Sequence, residues 1–218
     1  MKNNYDNIAR YYDLLSRMVF GSSQRDAQTA LLSYIPAVSH VLIAGGGTGW
    51  ILEAIAEKCP PGLHIYYVEL SANMIAKAAK TNYLPNKVTF INQAIENFEL
   101  SQTGLTGVDV IITPFLFDNF KEERIPGLFQ HLNTMLSPGG KWLFTDFHYQ
   151  QHMPYWQQLL LNSMYLFFRI LCAVEASALT NTLPLFQSHG YDRVYEQYYF
   201  RRFIWSAVFE KRLVVNNF

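Results

Sequence analysis

Three glycines spaced two apart, Gly45, Gly47 and Gly49, interrupt the run Val41 Leu42 Ile43 Ala44 Gly45 Gly46 Gly47 Thr48 Gly49 Trp50. The apolar residues before them fit a buried parallel strand. The stretch from Thr48 to Lys58 fits an amphipathic helix, with Trp50, Ile51, Ala54 and Ile55 apolar against Glu53, Glu57 and Lys58. In such a strand, turn and helix, glycine lets backbone come close to a ligand, and the helix start offers unpaired amide groups to an anionic end. A nucleotide-like cofactor suits that cradle. Glu69 closes the next strand about 20 residues beyond the glycines, where a carboxylate can accept both hydrogen bonds of a ribose diol. Two further groups could move protons. His148 stands with Asp146 and Tyr149 at the end of a later strand, and an imidazole that titrates near neutrality suits a general base. Asp118 could serve as a base, although capping a helix from Lys121 onward is the commoner use of a carboxylate there.

Spacing narrows the cofactor. A dinucleotide fingerprint counted from Gly45 puts its third glycine at Trp50, too bulky for the close helix packing that glycine permits. No Lys-Ser or Lys-Thr follows, so a P-loop is excluded. What remains, Gly-x-Gly-x-Gly, resembles the class I S-adenosylmethionine-dependent methyltransferases, with Ile43 standing where that family carries an acidic residue. Tyr5-x-x-x-Ala9-x-x-Tyr12-Asp13 followed by Phe20-Gly21 is similar to the opening of the ubiquinone and menaquinone biosynthesis C-methyltransferases. The unit Ser137 Pro138 Gly139 Gly140 with Lys141 to Phe147 resembles the family's fifth strand, and Asn92 Gln93 Ala94 its Gly-Asp-Ala, with Gln93 in place of the acid.

The resemblance implies a division of labour. Ala44, Gly45, Gly46, Gly47 and Gly49 would hold the methionine part of S-adenosylmethionine. Glu69, with Leu70 beside it, would hold the ribose, and Met74, Gln93 and Ala94 the adenine, Gln93 through its amide oxygen. Tyr12 would close over the cofactor beside the transferred methyl group. Ligands of an open parallel sheet bind outside the carboxyl ends of its strands, which adds Thr113 and Phe115 as contacts and keeps His148 near the acceptor.

The elements that must position these residues read as follows. Helices cover Tyr5 to Phe20 and Asp26 to Tyr34, and the second strand runs from Leu63 to Val68. Ser71 caps a helix from Ala72 to Lys80, and Lys87 to Ile91 and Gly107 to Thr113 are the third and fourth strands. A helix carrying Ile125, Leu128, Phe129, Leu132, Met135 and Leu136 turns sharply at Ser137–Gly140 into the fifth strand. Trp156 to Val174 is the most apolar stretch, too short and too interrupted by Arg169 to span a membrane, and its greasy surface calls for a partner subunit or a hydrophobic acceptor. Ser177 to Ser188 reads as a helix, and Tyr191 to Tyr199 and Phe203 to Leu213 as a closing strand pair.

The expectation is one Rossmann-like, doubly wound α/β domain of seven strands, mostly parallel with one antiparallel, with helices on both faces and an N-terminal helical lid. Its parts would be a lid over 1–36, a cofactor-binding core over 37–150, apolar insertion helices over 151–190 and the strand pair over 191–218. Half of the 218 residues are hydrophobic, ample for such a core. Seventeen basic residues balance seventeen acidic ones, which speaks against a nucleic-acid partner. Cys59 and Cys172 have no metal-spaced neighbours and no signal peptide opens the chain, so a cytoplasmic protein without a metal is expected. A methyltransferase acting on a small hydrophobic acceptor, with a quinol or phenol ring as the resemblance-based choice, is the reading. A methyltransferase-like binding module acting through the apolar helix and a nicotinamide oxidoreductase are the competing ones.

Overall fold

In β1 (His40–Ala44) successive side chains alternate between the two faces of a sheet: Val41 and Ile43 enter one apolar layer, Leu42 and Ala44 the other, and all four are sealed from solvent. A strand buried on both faces belongs in the middle of a parallel sheet. The computed structural model, which describes residues 12–172, 176 and 178–213, places it there. With β2 (His64–Glu69), β3 (Lys87–Asn92), β4 (Val108–Pro114), β5 (Leu136–Phe147), β6 (Tyr191–Tyr199) and β7 (Ile204–Lys211) it forms one seven-stranded sheet in the order β3-β2-β1-β4-β5-β7-β6. Strands β1 to β5 pair in parallel, and β7 is antiparallel to both β5 and β6.

Helices cover both faces. On one side α3 (Trp50–Lys58) presses Ile51, Leu52 and Ile55 onto Val41, Ile43, Ile65 and Tyr67. On the other, α5 (Ile125–Met135) and α7 (Leu183–Ser188) bury Phe129, Leu132 and Phe186 against Trp142, Phe144 and Phe209. A third cluster caps the carboxyl edge of the sheet. There Phe20, from the end of α1 (Tyr12–Phe20), meets Phe147, Phe203 and the residues Leu161 and Tyr165 of α6 (Tyr155–Cys172). The following helix, α2 (Ser23–Thr29), is tied to the sheet by the Ser206 hydroxyl, which donates to the Ala27 carbonyl at 2.6 Å. The remaining helix, α4 (Ala72–Ala78), is capped as its sequence predicts: the Ser71 hydroxyl accepts from the Met74 amide at 3.2 Å.

The fold is the expected Rossmann-like, doubly wound sheet with one antiparallel strand, but four local expectations are corrected. The second helix begins at Ser23 and stops at Thr29, and a 3₁₀ turn over Leu32–Tyr34 follows, because Pro36 forces Ile35 into extended backbone. The Ser137–Gly140 reversal lies inside β5 as a bulge: Leu136 pairs with Val108 and Lys141 with Val110, so the intervening residues loop out of the ladder. The helix expected from Ser177 starts only at Leu183, where Pro184 occupies its first turn, a position that needs no amide donor. Asp118 caps no helix, for α5 begins at Ile125 without any side-chain cap.

The ring of Phe186 is fully buried, lies flat on Phe209 with centroids 3.7 Å apart, and meets Phe129, Trp142 and Phe144 edge-on. Replacing it with alanine should cost about 3–5 kcal/mol of unfolding free energy, read as a lower urea midpoint with an unchanged slope.

Candidate functional site

The chain leaves β3 at one edge of the sheet and re-enters at β4, on the other side of β1, so the carboxyl ends of β1 and β4 diverge and open a crevice. A cavity of about 400 Å³ lies there. Its floor is the turn after β1. Gly45 and Gly47 have φ of +73° and +66°, and Gly49, which precedes α3, has +90°. Each glycine meets a different neighbour. A Cβ on Gly46 would stand 2.4 Å from the Tyr67 ring, and one on Gly49 2.5 Å from Cα of Ala78 in α4. A Cβ on Gly47 would meet nothing nearer than the Met74 sulfur at 4.0 Å, so its missing side chain is cavity space.

Glu69 holds this turn in place. Its Oε2 accepts from the Gly47 amide at 3.1 Å and its Oε1 from the Ser71 amide at 2.9 Å, and it stays 7% exposed at the cavity wall. The Tyr67 hydroxyl donates to the Gly47 carbonyl at 2.9 Å, and the Gly45 amide to Val68 at 2.9 Å. The turn is therefore fastened to β2 through Tyr67, Val68 and Glu69.

Residues 41–140 match a family model described as a methyltransferase domain. The matched segment runs from β1 to the bulge in β5, a little under half of the chain, and over that length the chain is similar to a methyltransferase domain. A malonyl-[acyl-carrier protein] O-methyltransferase from Ilyobacter polytropus is 30% identical over 110 residues, which are 50% of this chain and 40% of that relative. The matched segment thus spans well under two thirds of the relative's length. The N-methyltransferase NodS from Bradyrhizobium japonicum, solved with S-adenosylhomocysteine, has a TM-score of 0.62 at 16% identity, covering 86% of each chain. The 1,6-didemethyltoxoflavin-N1-methyltransferase from Burkholderia thailandensis, solved with its substrate and S-adenosylhomocysteine, has 0.62 at 14%, covering 96% of this chain and 87% of that one. At these identities the two solved structures share the fold.

Of the residues that the sequence assigns to the family's cofactor, Gly45, Gly46, Gly47, Glu69, Leu70, Met74, Gln93, Ala94 and Phe115 all line the cavity. Met74 is buried, and Leu70 is 38% exposed, an apolar side chain left open at the rim. Gln93 donates its amide nitrogen to the Asn97 carbonyl at 2.6 Å. Phe115 takes φ +50°, unusual for a side chain of that bulk, with its amide on the Thr145 carbonyl at 2.7 Å and its own carbonyl accepting from Asn119 at 2.8 Å.

Other candidates stand elsewhere. Ala44 is sealed in the core, Gly49 packs against α4 instead of opening to the cavity, and the Thr113 hydroxyl faces inward to accept from the Trp142 indole at 2.9 Å. Ile43, at the family's acidic position, is fully buried beneath α3. His148 does not line the cavity. Its amide bonds Phe203 at 2.9 Å on the β7 side, its ring stacks obliquely on Tyr198, and Nδ1 sits 3.0 Å from the Arg202 carbonyl. Burial lowers its pKa. The Tyr5 to Tyr11 part of the opening motif lies outside the described residues; Tyr12 opens α1, and its side chain lies outside them too.

Sequence reasoning missed a polar wall supplied by α1 and α2: Ser16, Arg17, Gln24, Arg25 and Gln28 line the cavity opposite Gln93 and Leu70. Arg25 lies over the Trp50 ring, 5.1 Å from its centroid. Read as a string, these residues look like the solvated face of an amphipathic helix. It also missed that Asp146 is 4% exposed, with burial raising its pKa from 3.8 to about 7.

That burial has a sign. The folded protein binds the Asp146 proton more tightly than the unfolded chain does, so its contribution is fully present below pH 3.8 and is lost as pH rises toward about 7. Asparagine, which cannot ionise, escapes the loss. Urea titrations across that range should show Asp146→Asn gaining stability relative to the wild type as pH increases; a difference that stays flat with pH would contradict the assignment.

Proposed function

We propose that this protein is an enzyme that transfers the methyl group of S-adenosylmethionine to a small hydrophobic acceptor, with a quinol- or phenol-like ring as the acceptor class. The observation that carries the reading is the Glu69 carboxylate, bonded to the glycine turn and facing the cavity. The residues present fit the cofactor. Gly47 leaves open space where a side chain would stand, and Glu69 has the acceptor chemistry that a ribose diol requires. Gln93 presents an amide oxygen suited to an adenine amino group, and Met74 and Leu70 offer apolar surface for a base. Arg17 and Arg25 bring positive charge to the same cavity, suited to a carboxylate end.

The cofactor supplies an electrophilic methyl group on a sulfonium. What the chain must add is alignment and the exclusion of water, so no elaborate catalytic constellation is required. Helices α1 and α2 cover the mouth of the cavity, and the bend at Phe115, held by Asn119, sets the wall between the cavity and the aromatic cluster at the sheet edge. That cluster is apolar enough to favour a hydrophobic acceptor. Ile43 and Gln93, which stand where the resembled family carries acids, are the residues that would favour a binding module. Ile43 is a core residue and Gln93 lines the cavity with an amide that still carries an acceptor, so neither argues that the cradle is broken.

Among the described residues no helix is long and apolar enough to cross a membrane. The apolar residues Tyr155, Trp156, Leu159 and Leu166 that α6 leaves exposed support contact with hydrophobic material or a second subunit, which we include in the proposal together with a cytoplasmic setting. Cys59, pushed up to about 11 by burial, is an unreactive thiol there.

Isothermal calorimetry with S-adenosylhomocysteine tests the cofactor assignment. Wild-type protein should bind with a Kd of order micromolar, and Glu69→Ala should weaken binding by about tenfold or more, roughly 1.4 kcal/mol. An unchanged Kd in the variant would remove Glu69 from the site.

A further inference from the structure

Two carboxyl groups stand close to Phe115 and Asn119 without lining the cavity themselves. Asp146, near the end of β5, accepts from the Phe117 amide at 3.0 Å through Oδ2 and from the Phe147 amide at 2.7 Å through Oδ1. Asp118 sits next to Phe117 in the loop after β4, and its Oδ1 accepts from the Asn119 side chain at 2.8 Å. Among the described residues no ion pair reaches either carboxyl. A third polar group joins them from α6. Tyr165 is 6% exposed, its hydroxyl is buried without a hydrogen-bond partner among the described residues, and both carboxyls act on it electrostatically.

A buried hydroxyl, a buried carboxyl and a half-buried one without a cation among the described residues are costly to keep together, and such groups cluster at functional sites. These groups adjoin the cofactor cavity through two of its lining residues, Phe115 and Asn119. Phe115 lines the cavity, and its ring lies 5.0 Å from that of Phe147 in the aromatic cluster that contains Tyr165. Asn119 lines the cavity on one side and bonds Asp118 on the other.

We propose that Asp118, Asp146 and Tyr165 form the proton-accepting subsite for a hydroxyl group on the methyl acceptor, with Asp146 as the group that takes the proton. This rests on the methyltransferase reading. In the step, a lone pair of the acceptor oxygen forms the new bond to the methyl carbon, and the carbon–sulfur bond breaks with its electron pair remaining on sulfur. The hydroxyl proton passes to the Asp146 carboxylate. One positive sulfonium and one negative carboxylate are consumed and neutral S-adenosylhomocysteine, ether and carboxylic acid result, so charge and atoms balance. The protein environment supports these roles. Burial brings Asp146 to about 7, where a carboxyl is both available as a base and strong enough to act as one. Burial and the charge of Asp146 push Asp118 well above the usual carboxyl range, so it holds its proton while Asp146 is ionised. Among the described residues the titratable groups that act on the pair are Tyr165 from α6 and the two aspartates themselves; Tyr165 is raised by burial and then by both carboxyls, and stays a neutral hydroxyl able to bond the acceptor oxygen.

The test uses the full chain saturated with S-adenosylhomocysteine, with carbon-13 in its aspartate carboxyls and catechol as the probe acceptor. Catechol should shift the Asp146 and Asp118 resonances saturably, and Tyr165→Phe, which removes only a hydroxyl without a partner, should weaken catechol binding about tenfold. With labelled S-adenosylmethionine, methyl transfer to catechol should rise with pH through about 7. Asp146→Asn, whose amide oxygen can still accept from Phe117, should slow transfer about 100-fold or more and abolish that rise while leaving S-adenosylhomocysteine affinity unchanged. Catechol that moves neither carboxyl resonance, or an Asp146→Asn variant with the wild-type rate and pH profile, overturns the inference. Failure of the wild-type protein to bind S-adenosylhomocysteine overturns instead the methyltransferase reading on which it rests.

Discussion

The hydrogen bonds from the amides of Gly47 and Ser71 to the two oxygens of Glu69 are the constraint on which the cavity depends. They join the turn after β1 to the turn after β2, two loops that would otherwise meet solvent independently. A buried carboxylate accepting from backbone amides is a strong, charge-assisted contact, and it fixes the turn in a shape that leaves space over Gly47. The other constraint on the same turn is steric. Tyr67 fills the volume above Gly46 and Ala78 the volume behind Gly49, so the bend is pressed from α4 and β2 while the Gly47 amide is held by Glu69. A turn held from both sides needs little rearrangement to receive a ligand, which is the economy that preorganised sites exploit.

That part of the site was legible because it is written in backbone terms. Positive φ at Gly45 and Gly47 permits few residue types, and an acid closing the strand beside a glycine turn has a narrow range of uses. The strands were legible for the same reason: Val41 to Ala44 and Ile65 to Val68 are too apolar for any exposed element. Where one residue type serves two purposes, the sequence left the choice open. Asp118 before a helical stretch reads as a cap, and only the 3₁₀ turn at Phe117–Asn119 shows that its carboxyl turns inward toward Asp146. His148 and Asp146 occupy the same strand end and both could serve as a base. What separates them is that His148 is drawn to the β7 side by Phe203 and Arg202, whereas Asp146 turns toward the β4 loop and Phe117. Pairwise pulls of this kind depend on residues 29 and 54 positions away, and local pattern carries no trace of them.

The polar lining from α1 and α2 was hidden for a different reason. Gln28 is 7% exposed although it looks like a surface residue, because α2 is tied down to β7 through Ser206 and the cavity, not solvent, lies beyond its polar side. Amphipathicity tells which side of a helix is apolar. It does not tell whether the polar side faces bulk water or an enclosed cavity.

The three apolar clusters divide the work of the molecule. Two of them sandwich the sheet and fix the strands, and with them the positions of Glu69 and of the glycine turn. The third, at the carboxyl edge, is built from the ends of elements: Phe20 closes α1, Phe147 closes β5, and Phe203 precedes β7. Such a cluster secures chain ends more than it stabilises the sheet, and its rings can be spaced to leave room among them. Placing polar groups inside it is expensive, since each carboxyl there loses water and gains no cation. Asp146 tolerates this by accepting from the amides of Phe117 and Phe147, which hold its oxygens without neutralising them. The result is a carboxyl whose proton affinity is set by burial and whose direction is set by backbone, two properties that a purely structural buried acid does not need together. The aromatic edge and the acid pair thus make sense as one device: the rings exclude water, and it is that exclusion which brings the carboxyl into the range where it can exchange a proton near neutral pH.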